Sequence, residues 1–166
     1  MSQIRSTELA TLGAGCFWGV EHILKRIPGV VATTCGYEGG GTEKPTYKDI
    51  CRGETGHAEV VQIEFDPKLV SYDTLLDYFW RLHDPTQLDR QGVDVGTQYR
   101  SVIFYHNETQ KEAALKSKEK FDQSGVFKKK AVTQIIPSEK FWSAEDYHQD
   151  YFDINGGHVC HILRPL

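Results

Sequence analysis

The chain has 166 residues, 39% hydrophobic and 25% charged, with a formal net charge of −4. These values suit one globular domain over residues 1–166 with a substantial core, and the slight acidic excess argues against a nucleic-acid footprint. No apolar stretch approaches membrane-spanning length and the first residues lack the apolar centre of a signal peptide, so a cytoplasmic protein with no membrane partner is expected.

Leu9 to Ala14 reads as a short strand, and Val20, Ile23, Leu24 and Ile27 recur at helical spacing until Pro28-Gly29 stops them. Between the two lies Gly15-Cys-Phe-Trp-Gly19, which puts Cys16 at a helix N-terminus. Unpaired backbone N–H groups there favour negative charge and enrich a thiolate. On position alone Cys16 reads equally as a nucleophile or as a small buried hydrophobe. Val30 to Cys35 is β-rich and ends in Gly39-Gly40-Gly41. Thr42 to Gly56 is a long polar loop carrying Tyr47 and Cys51.

His57 to Phe65 is the clearest strand, and its alternation puts Glu59 on the apolar face with Val61, Ile63 and Phe65. Ser71 caps an amphipathic helix to His83, with Leu75, Leu76, Phe79 and Trp80 on its buried stripe. A second long polar loop, Asp84 to Gln98, holds Asp94 and leads into a strand over Tyr99 to His106. A charged helix over Glu108 to Ser124 stops at Gly125, and a strand over Ala131 to Ile136 is cut off by Pro137. Ala144 to Ile154 reads as a short acidic helix capped by Asn155-Gly156-Gly157, and the last residues as irregular. This order predicts an α+β fold, a two-layer sandwich with a central mixed sheet and a ferredoxin-like core.

An inward-facing Glu59 is desolvated, which raises its pKa and makes it a hydrogen-bond donor and general acid. An ion-paired Glu59 is the competing reading. Tyr47 and Tyr99 can donate to an oxygen, and Asp94 between glycines also suits a turn. Cys160, on a glycine-flanked tail, can swing toward Cys16. Cys35 reads as core. The four cysteines are expected to be reduced in the cytosol, so any disulfide would be catalytic. The tract His158-Val-Cys160-His161 invites a metal, but it lacks a Cys-x-x-Cys and a second ligand pair, and no metal is expected.

Seven segments taken together resemble one known family. Gly15-Cys-Phe-Trp-Gly19, Gly36-Tyr-Glu-Gly-Gly40, Pro45-Thr-Tyr-Lys48, Gly56-His-Ala-Glu59 and His83-Asp-Pro-Thr-Gln87 look like peptide-methionine (S)-S-oxide reductase, the A-type methionine sulfoxide reductase. Asp94-Val-Gly-Thr-Gln-Tyr-Arg-Ser101 and Ala144-Glu-Asp-Tyr-His-Gln149 continue the likeness in family order. The resemblance implies Cys16 as nucleophile on the sulfoxide sulfur and Glu59 as the acid on the departing oxygen, assisted by Tyr47 and Tyr99. It implies a substrate site of Phe17, Trp18, Asp94 and Tyr151, the aromatics receiving the terminal methyl group. Cys160 matches the resolving cysteine, and no cysteine follows it to relay the disulfide. Thioredoxin is the implied reductant, free methionine-S-sulfoxide and oxidised proteins are the implied substrates, no cofactor is implied, and a monomer is expected. A thiol peroxidase would share the two cysteines but leaves Glu59 unexplained. A metal-binding module would use only the tail.

Overall fold

A computed structural model of the chain describes residues 6–157 and 159–165. The first half contains β1 (Glu8–Ala14), α1 (Phe17–Leu24), β2 (Val30–Glu38), α2 (Tyr47–Cys51), β3 (Ala58–Phe65) and α3 (Tyr72–Arg81). A small hairpin of β4 (Arg90–Gln91) and β5 (Asp94–Val95) precedes β6 (Ser101–Tyr105), α4 (Glu108–Ser124) and β7 (Gln134–Pro137). The chain closes with β8 (Trp142–Ser143) and α5 (Tyr151–Asn155).

The main sheet has the order β7-β6-β1-β3-β2-β8. Its pairings are antiparallel except β6 with β7, which are parallel, so the sheet is mixed. The four central strands run β6-β1-β3-β2, with α1 between β1 and β2 and α3 between β3 and β6. This is the expected ferredoxin-like core.

Alternation along the strands sends Ala10, Leu12 and Ala14 of β1, Val61, Ile63 and Phe65 of β3, and Ile103 of β6 to one face. Phe17, Val20 and Leu24 of α1 and Leu75, Leu76 and Phe79 of α3 cover that face. Burial of large apolar side chains contributes roughly 1.5–3 kcal/mol each, and this layer is the main source of stability. The opposite face carries a smaller cluster of Ala58, Val60, Val102 and Phe104 beneath Ile136 and Phe141. The two clusters together bury β3 on both sides, which leaves Glu59 no route to bulk water through the sheet.

Three segments depart from expectation. The loop from Thr42 contains α2, nucleated by a capping box in which Thr46 Oγ1 accepts from Asp49 N–H and Asp49 accepts from Thr46 N–H. The loop from Asp84 contains the β4–β5 hairpin and a 3-10 turn over Thr97–Tyr99, so Tyr99 precedes β6 and is not part of the strand. No single helix spans Ala144 to Ile154. Trp142 and Ser143 instead pair with Tyr37 and Gly36 of β2, and the Gln149 amide takes both backbone polar groups of Cys35. A 3-10 turn over Asp146–His148 follows, and Asp150 with φ 54° breaks the backbone before α5. Tertiary hydrogen bonds override the local helical preference there. The C-terminal expectations also shift by a few residues, β7 occupying Gln134–Pro137 because its pairing follows β6.

Asn107 caps α4 by accepting from Gln110 N–H at 2.9 Å. Asn107→Ala should therefore lower unfolding free energy by about 1 kcal/mol, measured by urea denaturation.

Candidate active site

Gly15, with φ +94°, turns the chain out of β1, and Cys16 stands as the N-cap of α1 with no side-chain capping bond of its own. The free N–H groups of the first turn serve two reactive side chains instead. Phe17 N–H donates to Glu59 Oε1 at 3.3 Å, and the nearby Trp18 N–H favours negative charge on the Cys16 sulfur. Glu59 projects from β3 opposite Tyr37 and is 1% exposed, and its Oε2 is buried without a partner. Burial raises its carboxyl from 4.5 to about 8, Phe17 N–H opposes, and the nearby Asp94 and Cys160 raise it further. The charges acting on it are acidic, so it is no ion-paired carboxylate. Near neutrality it carries a proton.

An aromatic wall surrounds this point. Phe17 is buried between Tyr37, at 5.7 Å, and His148, at 5.1 Å between ring centres. Trp18 is half-buried and stacks on Tyr151 with ring centres 3.8 Å apart and planes 4° apart. Its indole N–H donates to His148 Nδ1 at 2.8 Å, which assigns the imidazole proton to Nε2. Tyr47 opens α2 and donates its N–H to Glu145 Oε2 at 3.0 Å. Glu145 also accepts from the Tyr37 and Tyr147 hydroxyls. Burial works against its charge, yet these bonds hold it below the usual carboxylate range. Burial and the neighbouring Glu59 push the Tyr47 and Tyr99 hydroxyls above their ordinary range, so both remain O–H donors.

The C-terminal tail lies across the same turn. Cys160 is seated beside Cys16, and each thiol is the largest influence on the other's ionisation. His161 is buried, with Nδ1 3.2 Å from Cys160 Sγ and Nε2 2.7 Å from the Ala14 carbonyl oxygen. Farther on, Arg164 N–H donates to Arg81 O, and its guanidinium reaches the carbonyls of Trp80 and His83. Gly19 makes room for this docking. A Cβ there would lie 2.6 Å from Cys160 Sγ and closer still to His161 Nδ1.

Two thiols in contact cannot both ionise freely. The neighbouring Cys160 first, then burial and the charge of Glu59, raise Cys16, while Trp18 N–H lowers it. Cys160 is lowered by Cys16 and, against its own burial, by His161. The helix N-terminus alone predicts an activated Cys16. With the tail docked, Cys16 is held above its ordinary range.

The structure thus brings together every site residue expected from the sequence. Cys16, Phe17 and Trp18 come from one turn, Glu59 from β3, Tyr47 from α2, Asp94 and Tyr99 from the second loop, and Tyr151 and Cys160 from the end. Cys35 is core as expected, and Cys51 is exposed on α2. Glu145, His148 and His161 were not assigned roles from sequence. The first two lie in a segment whose local pattern predicts one continuous helix, which the structure does not form. His161 figured there only as part of a metal-like tract, of which His158 lies outside the described residues.

The family model described as Peptide methionine sulfoxide reductase matches residues 8–165. A protein of Methanosarcina acetivorans named peptide methionine sulfoxide reductase MsrA is 60% identical over 159 residues, covering 96% of this chain and 84% of that protein. The reduced form of Mxr1 from Saccharomyces cerevisiae superposes with a TM-score of 0.91 at 38% identity, covering 99% of this chain and 96% of that one. Mxr1 in complex with Trx2 gives a TM-score of 0.66 at 27% identity, covering 99% and 95%.

Two measurements check this geometry. Because folding raises the Glu59 pKa above 4.5, the folded state keeps a proton that the unfolded chain has released, and this stabilisation fades as pH rises through about 8. Glu59→Gln should therefore melt higher than the parent by a margin that grows from pH 4.5 to pH 8 and then levels, in calorimetric scans. Gly19→Ala should slow diamide-driven linkage of Cys16 to Cys160 by about tenfold or more, followed by mass spectrometry, because the sulfurs lose their approach.

Proposed function

The chain belongs to the peptide methionine sulfoxide reductase family and reduces methionine sulfoxide, and we propose that Cys16 attacks the sulfoxide sulfur while Glu59 protonates its oxygen. The observation that carries this reading is the pairing of a thiol with a buried carboxyl at the start of one helix, where burial favours the protonated form. Sulfoxide oxygen is a poor leaving group until protonated, and an acid with a pKa near the working pH suits the task.

The substrate's S–CH3 end is apolar and fits against Phe17 and Trp18, while its oxygen faces Glu59, Tyr47, Tyr99 and Asp94. Methyl and oxygen thereby enter subsites of opposite character, so the S-epimer is selected, free or within a protein. Displacement of Cys160 by substrate removes the strongest influence that raises Cys16, and a protonated Glu59 removes the charge repulsion. The thiolate then forms a bond to the substrate sulfur as Glu59 gives its proton to the oxygen; that S–S bond breaks as the hydroxyl passes from the substrate sulfur to Cys16 sulfur, and the products are methionine and a Cys16 sulfenic acid.

Cys160 next attacks the sulfenic sulfur, giving the Cys16–Cys160 disulfide and water. Thioredoxin reduces that disulfide, a reading supported by the likeness to Mxr1 bound to Trx2. The absence, among the described residues, of a helix long and apolar enough to cross a membrane accords with work on a dissolved or protein-bound substrate. We place the enzyme in the cytoplasm, acting as one domain in the repair of oxidised proteins.

Single-turnover assays with an S-sulfoxide test the assignment. Cys16→Ser should release no methionine. Cys160→Ser should release one methionine per site and hold the sulfenic acid, trapped chemically and read by mass. A Cys16–Cys51 disulfide in the unsubstituted enzyme would contradict the resolving role of Cys160.

A further inference from the structure

The reaction proposed above has no use for His161, yet this side chain is buried, bonded at both ring nitrogens, and in contact with the thiol that must act second. Its contacts determine its chemistry. The Ala14 carbonyl only accepts, so Nε2 carries a hydrogen, and in a neutral ring Nδ1 is left as the acceptor. That nitrogen faces Cys160 Sγ at 3.2 Å. The ring is also the tail's inner anchor, while Arg164 is the outer one, bonded to carbonyls at the end of α3. Cys160 sits beside the inner anchor, above Gly19, a position any larger residue would fill.

Resting on Cys160 as resolving cysteine, we propose that His161 is the positioning residue of the resolving step, docking the tail on the Ala14 carbonyl and accepting the Cys160 thiol proton at Nδ1. The step balances as follows. The Cys160 S–H bond gives its proton to Nδ1, and the sulfur forms the bond to Cys16 sulfur. The sulfenic S–O bond breaks, and the departing hydroxide takes up the proton released from the His161 imidazolium, giving water. The sulfenic sulfur of Cys16 and the thiol sulfur of Cys160 become a disulfide with no external oxidant, because the sulfoxide has already supplied the oxidising equivalent.

The ionisable surroundings are defined. Cys16 and Glu59 face Cys160, Asp94 acts on both Cys160 and His161, and His83 stands near His161. Burial holds His83 neutral, lowered to about 3, so it carries no competing charge near neutrality. All of these remain when His161 is replaced, so a comparison of pH profiles isolates the imidazole.

The test is quench-flow of one turnover of a methionine S-sulfoxide without reductant, reading methionine release and free thiols in the same samples. His161→Gln retains an amide N–H to reach Ala14 but offers no base at the δ position; His161→Asn is measured beside it, and a variant counts when it releases one methionine per site. Disulfide formation should slow about 10- to 100-fold at pH 7 relative to methionine release. The variant rate should climb about tenfold per pH unit toward the ordinary thiol range near 8.5, while the parent's rises less steeply. A variant that matches the parent, or that is slower with a parallel pH profile, would overturn the assignment. Cys160→Ser, run alongside, separates the two claims: a disulfide still formed there defeats the resolving role itself, whereas its absence leaves only His161 in question.

Discussion

The structure depends on the cost of keeping a carboxyl group inside a sheet-and-helix core. Glu59 is enclosed by apolar layers on both faces of β3; its Oε1 accepts from Phe17 N–H at 3.3 Å, and its Oε2 has no partner among the described residues. An ionised carboxylate there would lack solvent and a cation, so the group keeps its proton. The same helix start that offers Phe17 N–H to Glu59 offers Trp18 N–H to Cys16. One turn of backbone therefore fixes the separation of acid and nucleophile, and the aromatic side chains of that turn form the wall beside them.

The second organising contact is the seating of the tail. Glycine at position 19 would be a poor choice for a helix on propensity alone, costing roughly 0.8–1 kcal/mol against alanine. Its space is taken by Cys160 and His161, so the helix gives up local stability for close approach of two sulfurs. With the tail seated, Cys16 is restrained from ionising by its partner thiol. Once a substrate takes that place, the restraint is lifted. Docking and reactivity are thus two sides of one thiol–thiol contact, because a seated tail restrains Cys16 and a displaced one releases it.

Much of this was legible in the residues. Period-two alternation in β3 was enough to send Glu59 inward, and the i, i+3, i+4 stripe in α3 placed Leu75, Leu76, Phe79 and Trp80 in the core. Both signals are local and strong. The segment after Ala144 was not legible, because its path depends on Gln149 bonding the backbone of Cys35 and on β8 pairing with β2, partners more than a hundred residues away. Glu145 and His148 were lost with it. The raised pKa of Cys16 was hidden for the same reason: helix position is written in the adjoining residues, whereas contact with Cys160 arises only when the chain closes. His161 looked like part of a metal tract because spacing alone does not show that one ring nitrogen is committed to a carbonyl.

The central claim is that Glu59 remains a carboxylic acid at neutral pH inside the folded enzyme. Infrared difference spectroscopy with isotope-labelled glutamate, comparing the enzyme with Glu59→Gln, tests it most directly. A protonated-carboxyl band is expected, absent from the variant, that disappears with a midpoint near pH 8. A Glu59 signal already that of a carboxylate at pH 7, with a midpoint near the ordinary 4.5, would contradict it.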